Sequence, residues 1–276
     1  MSTSNEISPP QRPCGRLLLT GAAGGLGRVL RERLVPMAKV LRVSDLVPLG
    51  DALGAHEELR PCDLADKAAV QALLEGCDAV VHLGGVSVER SFEEILQANL
   101  RGVFHLYEAA RLNGVRRVVF ASSNHAIGFY RQAERIGADV RHRPDGFYGL
   151  SKCFGEDMAQ LYFDRYGIET VSIRIGSSFE EPKNRRMLHT WLSFDDLTSL
   201  VEAALFTPQV GHTIVYGASK NGEAWWDNAG AGVLGWAPKD NSELYRAKVE
   251  AEQPPLAADD PNLLYQGGVF TTQGPY

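Results

Sequence analysis

In the run PDGFYGLSKCFGEDM, Tyr148 and Lys152 stand four residues apart, which places both side chains on one face of a helix. That pairing suits proton abstraction. A free tyrosine titrates near 10, so a phenolate at neutral pH needs about 4 kcal/mol of preference for the charged form. A cation about 4 Å away at an effective dielectric of about 20 contributes roughly that much. Tyr148 is therefore a candidate general base, with Lys152 tuning it. The preceding strand ends in VVFASSNHAIG, where the Ser123 hydroxyl can donate to a substrate oxygen while Tyr148 takes its proton. Ser122 is the alternative donor, and a strand-end turn is the structural alternative. By itself Y-x-x-x-K also describes an exposed tyrosine beside a solvated lysine, so its meaning depends on what lies upstream.

Upstream, in RLLLTGAAGGLGRVLRERL, Gly21, Gly24 and Gly27 fall between an apolar run and an amphipathic one. A strand, a glycine turn and a helix let a pyrophosphate approach bare backbone and rest on the helix N-terminus. The spacing is G-x-x-G-x-x-G, and tight turns use glycine too. Asp45 closes the next strand in VLRVSDL, near the roughly 20-residue offset at which a carboxylate accepts hydrogen bonds from an adenosine ribose. A carboxylate there repels a 2′-phosphate, so the expected cofactor is NAD rather than NADP. The competing role for Asp45 is capping its own turn. Asp63 in CDLAD is a candidate for the adenine, or equally for the N-cap of the next helix. Gly84 and Gly85 follow another short strand, at the carboxyl edge where open sheets receive ligands. The positive charge of an oxidised nicotinamide would add to the pull of Lys152 on Tyr148.

The elements that must hold these residues show as alternation. Short apolar runs at 16–20, 40–45, 58–62, 79–83, 117–122 and 170–175 read as strands, and amphipathic stretches at 24–37, 67–75, 92–113 and 145–166 as helices. Such βα units close a parallel sheet, so the fold class is α/β, a Rossmann-type doubly wound parallel sheet. Asp145 is expected to N-cap the helix of Tyr148 and Lys152, and Gly167 to end it. Beyond 175 the rhythm breaks into a loop to 190, a helix over 193–206, a strand over 213–216 and a Gly/Pro-rich end. The organisation expected is a disordered tail over 1–14, an NAD-binding domain over 15–175, and a small substrate-side subdomain over 176–276 integrated with it.

A formal charge of -6 over 276 residues offers no basic stripe, so no nucleic-acid partner is expected. Cys14, Cys62, Cys77 and Cys153 show neither C-x-x-C nor a Cys/His metal spacing, which argues against a disulfide framework or a metal site. No apolar run approaches the roughly 20 residues of a membrane span, and MSTSNEISPPQRPC has no apolar leader core. Reduced thiols and a cytoplasmic location are expected.

The glycine loop TGAAGGLG, the Asp45 strand end, Asn99 in ILQANLRGVFHLYEAA, the serine strand and the Tyr148/Lys152 pair resemble the extended short-chain dehydrogenases/reductases over residues 15–220. Within them, HLGGVSVERSFEEIL, FASSNHAIGFY, YGLSKCFGE, RIGSSFEEPKNRRMLHTW and YQGGVF are similar to a group that oxidises C1 of pyranose D-glucuronate and D-galacturonate with NAD, giving aldarolactones. The resemblance makes Ser123, Tyr148 and Lys152 the catalytic triad and Asn99 its supporting asparagine. It lines the cofactor with Gly21, Gly24, Gly25, Leu26, Gly27, Asp45, Asp63, Leu64, Leu83, Gly84, Gly85, Asn99 and Ile175 besides Tyr148 and Lys152. Around the sugar it places Ser87, Ser123, Asn124, His125, Tyr148, Ser177, Arg186 and Phe270.

Arg186 carries a planar fork suited to a substrate carboxylate, which Lys183 could not reproduce, while neighbouring Arg185 is its rival. Phe270 either closes over the nicotinamide or sugar or packs in the core. The partners implied are a small sugar acid and further copies of the chain. A nucleotide-sugar epimerase or dehydratase of the same fold and a non-catalytic NAD sensor are the rival readings. The long tail and the run SSFEEPKN depart from the group's pattern, and the preference between the two hexuronates is left open.

Overall fold

A computed structural model describes residues 12–274. Seven parallel strands form its central sheet: β1 (Cys14–Thr20), β2 (Ala38–Ser44), β3 (Glu57–Leu59), β4 (Ala79–His82), β5 (Arg117–Ser123), β6 (Glu169–Ile175) and β7 (His212–Gly217). Their order is β7-β6-β5-β4-β1-β2-β3. The chain thus starts in the middle, builds outward to β3, crosses back to β4 and extends to the other edge. The crossover leaves a crevice beyond the carboxyl ends of β1 and β4, the switch point where open sheets bind ligands.

Both faces of the sheet are covered, so its strands read as continuous apolar runs. Successive side chains point to opposite sides: Leu17 and Leu19 join one core with Leu30, Leu34, Leu41, Val43, Leu197, Leu200 and Val201. Leu18 joins the other, with Val70, Leu74, Val80, Leu106, Tyr107, Phe120 and Tyr162. The first core is roofed by α1 (Gly25–Arg33) and α6 (Phe194–Phe206). The second is roofed by α2 (Lys67–Leu73), α4 (Gly102–Asn113) and α5 (Phe147–Tyr166).

Several expected elements are shorter than drawn. The first helix stops at Arg33 and gives way to a 3-10 turn over Val35–Met37, because Pro36 cannot donate the next α bond. The third strand keeps three residues before Pro61. The helix over 92–113 keeps its expected length but carries a π-helical turn over Leu96–Arg101 between α3 (Phe92–Ile95) and α4. Asp145 does not cap α5: its carboxylate is turned to His125, and Gly146 occupies the cap position. Gly167 ends α5 in the left-handed conformation at φ 67, as expected.

The boundary drawn after 175 falls inside the sheet, since β7 pairs with β6 from Thr170↔His212 to Ile175↔Gly217. The tail expected over 1–14 lies mostly in residues 1–11, outside the described residues. Cys14 already pairs with Ala38 in the sheet, and Arg12 packs over Phe206 and pairs with Glu202. All four cysteines are free and buried. No helix among the described residues is long and apolar enough to cross a membrane.

Candidate active site

One cavity of about 930 Å³ runs from the glycine loop to the end of β5 and on to the C-terminal segment. Of the residues singled out from the sequence, all but Asn99 line it.

The loop end is shaped for a dinucleotide. Gly21 has φ +72, and a Cβ there would lie 2.7 Å from the Leu83 backbone; one at Gly27 would run into the Gly21 carbonyl. Helix α1 begins beside them with no side-chain cap and no acidic residue in its first turn, so its amides and dipole face the cavity. The Asp45 carboxylate closes this loop while lining the cavity, accepting from the Ala23 amide at 2.9 Å and from the Val47 amide at 3.1 Å. Both roles considered for Asp45 are therefore compatible. Asp63 accepts from the Ala65 amide at 2.9 Å, and the N-cap of α2 is Asp66 instead. These residues fit NAD: bare backbone and an open helix end for pyrophosphate, a carboxylate for the ribose.

Beneath Gly84 and Gly85 sits Asn99, on the inward side of the π-helical turn. Its Oδ1 accepts from the Val86 amide at 2.8 Å, and its Nδ2 donates to the Val86 carbonyl and to Ser151 Oγ. At Gly85, φ +125, a Cβ would lie 2.7 Å from Asn99 Oδ1. Asn99 thus clamps the loop and the catalytic helix from behind the cavity wall.

Ser123 and Ser122 separate cleanly. Ser122 Oγ donates to Glu156 Oε1 at 2.5 Å and is thereby engaged, whereas Ser123 Oγ accepts from the His125 amide at 3.2 Å and can turn its own proton toward Tyr148. Tyr148 and Lys152 are both buried, on one face of α5. Lys152 Nζ donates to the Ala121 carbonyl at 2.8 Å and lies 5.5 Å from the Tyr148 ring centre. Burial lowers the Lys152 ammonium to about 8, with Glu156 opposing. Burial also pushes the Tyr148 phenol up to about 12, eased by a hydrogen bond from Ser123 and reinforced by Asp145. Desolvation thus opposes the lowered tyrosine expected from the spacing.

At the far end, Arg186 Nε donates to the Gln266 carbonyl at 2.8 Å, and Nη2 donates to the same oxygen. The Asn124 amide fits best with Nδ2 donating to the Ile175 carbonyl at 3.1 Å and Oδ1 accepting from Arg186 Nη2 at 2.7 Å. Nη1 has no protein partner among the described residues. Burial lowers Arg186 to about 10, with Asp145 opposing, which leaves it charged at neutral pH. Arg185 points elsewhere, to the carbonyls of Glu250 and Gln253. Ser177 bonds Thr190 at 2.9 Å. Phe270 stacks on the His125 ring at 3.9 Å between centres, so it caps the site rather than joining a core.

Other supports carry no motif. The Glu89 carboxylate receives the Phe147 and Tyr148 amides at 2.8 and 2.9 Å, capping the catalytic helix from a distant loop. Gln266 is fully buried; its side chain accepts from Trp226 Nε1 and donates to the Arg131 and Glu134 carbonyls, which fixes the carbonyl that Arg186 uses. Their signals are invisible in sequence because each partner is tens of residues away.

A Rossmann sheet, an open glycine loop at its switch point and a Ser/Tyr/Lys set at the end of β5 define an extended short-chain dehydrogenase. The model of the NAD dependent epimerase/dehydratase family matches residues 17–193. A uronate dehydrogenase of Pseudomonas putida is 67% identical over 96% of this chain and 98% of its own length. A crystal structure of uronate dehydrogenase from Agrobacterium tumefaciens complexed with NAD is 55% identical with a TM-score of 0.92, covering 94% of this chain and 98% of that one. A glucuronic acid dehydrogenase from Chromohalobacter salexigens is 53% identical with a TM-score of 0.93, over 94% and 97%. The chain belongs to the NAD dependent epimerase/dehydratase family and, within it, to the uronate dehydrogenases: it is an NAD-dependent dehydrogenase.

Proposed function

We propose that this protein oxidises C1 of pyranose hexuronates, D-glucuronate and D-galacturonate, to aldarolactones. The observation that carries this reading is Arg186, a partly buried guanidinium with Nη1 unpartnered among the described residues, in the same cavity as Tyr148 and Ser123. Only the longer-range pull of Asp145 offsets this charge, and a substrate carboxylate would supply a direct counter-ion.

NAD supplies the hydride acceptor when bound. Ser123 positions the anomeric oxygen. Tyr148 removes its proton, and Lys152, anchored on Ala121, favours the phenolate and holds the ribose. Burial works against the phenolate, and the positive charge of an oxidised nicotinamide would work for it when NAD is bound. The ring oxygen stays bonded to C1, so the product is a lactone. Ser87, Asn124, His125 and Ser177 surround the sugar, and Phe270 covers it. Further copies of the chain remain part of this reading. Exposed Phe104, Leu112, Leu150 and Leu161 on α4 and α5 are apolar surface that such an assembly would cover.

The test is NADH absorbance from purified protein, NAD and a panel of uronates and neutral aldoses. Turnover confined to uronates, with lactone as the first product by NMR, is expected. Tightly retained NAD with no NADH formed from any sugar acid would point to an epimerase or a sensor instead.

A further inference from the structure

The Asp145 carboxylate lies 2.6 Å from His125 Nδ1 through Oδ2, while its Oδ1 has no partner among the described residues. It is 5% exposed, in a pit whose walls are glycine. A Cβ at Gly128 or Gly267 would collide with Oδ2, and one at Gly149 would come within 3.0 Å of Oδ1. Backbone bonds lock the two segments together: Asp145 N to the His125 carbonyl at 3.3 Å, Arg143 N to the Ala126 carbonyl at 3.0 Å and Phe129 N to the Arg143 carbonyl at 3.0 Å. The ring itself is held between Phe270, at 3.9 Å, and Tyr148, at 5.7 Å. His125 lines the cavity, and its Nε2 has no protein partner among the described residues.

An ionised carboxylate only accepts hydrogen bonds, so the shared proton belongs to His125 Nδ1. In the neutral ring Nε2 is then an acceptor. We propose that Asp145 is a positioning residue that fixes this tautomer, so that His125 Nε2 accepts a hydrogen bond from a hydroxyl of the sugar and selects for a donor there. The selection rests on the sugar-acid reading above; the tautomer does not. A substrate with fluorine or hydrogen at that carbon leaves Nε2 unpaired, whereas one with a hydroxyl satisfies it.

Nitrogen-15 spectra of histidine-labelled holoenzyme, with His125 assigned by its loss in H125N, read the tautomer directly at a pH above the imidazole range. A proton on Nδ1 and a bare Nε2 are expected; a proton on Nε2 would overturn the proposal, with no sugar present. In D145N the amide can donate to Nδ1 and reverse the tautomer. That variant should lose about tenfold or more in kcat/KM for glucuronate while NAD affinity holds. The D145N/H125N double variant should lose no more than H125N alone, and additive losses would overturn the coupling. Glucuronates fluorinated singly at C2, C3 or C4 should show one sharply penalised position in the wild type, with the penalty reduced in D145N. Equal penalties in the two enzymes would overturn the selection. If D145N does not fold, the wild-type spectrum decides the tautomer. Wild-type inactivity toward every sugar acid would instead sink the functional reading and, with it, the sugar contact.

Discussion

Asp45 Oδ2 accepts a hydrogen bond from the Ala23 amide at 2.9 Å, so the carboxylate at the end of β2 also closes the glycine loop that follows β1. Asp45→Ala should therefore do two things at once. The preference for NAD over NADP should narrow, because repulsion of the 2′-phosphate is relieved. NAD itself should bind more weakly, by about 1 kcal/mol, because the loop loses a tie. Steady-state kinetics with both cofactors checks this, and comparable wild-type kcat/KM for NAD and NADP would sink it.

Tyr148→Phe should remove turnover by about a hundredfold or more while leaving the dissociation constant for NAD nearly unchanged. In wild-type enzyme without NAD, the Tyr148 phenol should titrate above the ordinary tyrosine value, since burial holds it near 12. With NAD saturating, kcat should rise with pH on its acid limb, because the active form is the deprotonated one. A phenol that titrates normally without NAD would contradict the burial argument.

Arg186→Ala should cost glucuronate about 30-fold to 1,000-fold in kcat/KM, while any residual turnover of glucose at high concentration changes little. Lysine at this position should rescue only in part. Arg186 meets Gln266 through Nε and Nη2 together, and an ammonium cannot hold that carbonyl while also facing the cavity. Equal losses for both sugars would mean that Arg186 serves the fold alone.

Glu156 should contribute to the acid limb of stability. Burial pushes its carboxyl up, but hydrogen bonds from His142, Arg174 and Ser122 win and hold it down at about 2. Its stabilising contribution is complete above the unfolded value of 4.5 and is lost as pH falls toward 2. Glu156→Gln should flatten the fall in unfolding free energy across that window, by roughly 3 kcal/mol in urea titrations. At neutral pH the same variant should be less stable, since Arg174 keeps its charge in the core without a carboxylate. An unchanged acid limb in the variant would assign acid unfolding to other carboxylates.

The sheet and the reacting groups were legible because their signals are local: apolar runs for strands, four-residue spacing for Tyr148 and Lys152, glycines at a strand end. Even the choice of Ser123 over Ser122 was visible as an option, though only Glu156 decides it. What sequence could not show were couplings across the chain. Asp145 has the right type and place for an N-cap, yet His125 claims its carboxylate and Glu89, 58 residues before Phe147, caps the helix. The bonds of Asn99 to Val86 and Ser151 have no local signal either, since they join residues 13 and 52 positions away. The expected boundary at 175 falls inside the sheet for a related reason: β7 completes it after two helices and one pair of short strands have intervened.

The π-helical turn over Leu96–Arg101 makes residue count, rather than residue type, a functional variable. Such a turn is an α-helix carrying one residue too many. Deleting a single residue there would restore ordinary winding with the flanking turns still in phase, but it would redistribute the residues inside the turn, Asn99 among them, around the helix axis. The Asn99 side chain would swing off both Val86 and Ser151, leaving the loop under the cofactor and the helix of Tyr148 without their common tie. The enzyme would keep every chemical group it uses and lose the tie between them, so homologous chains of this kind should tolerate changes of letter in this turn more readily than a change of length.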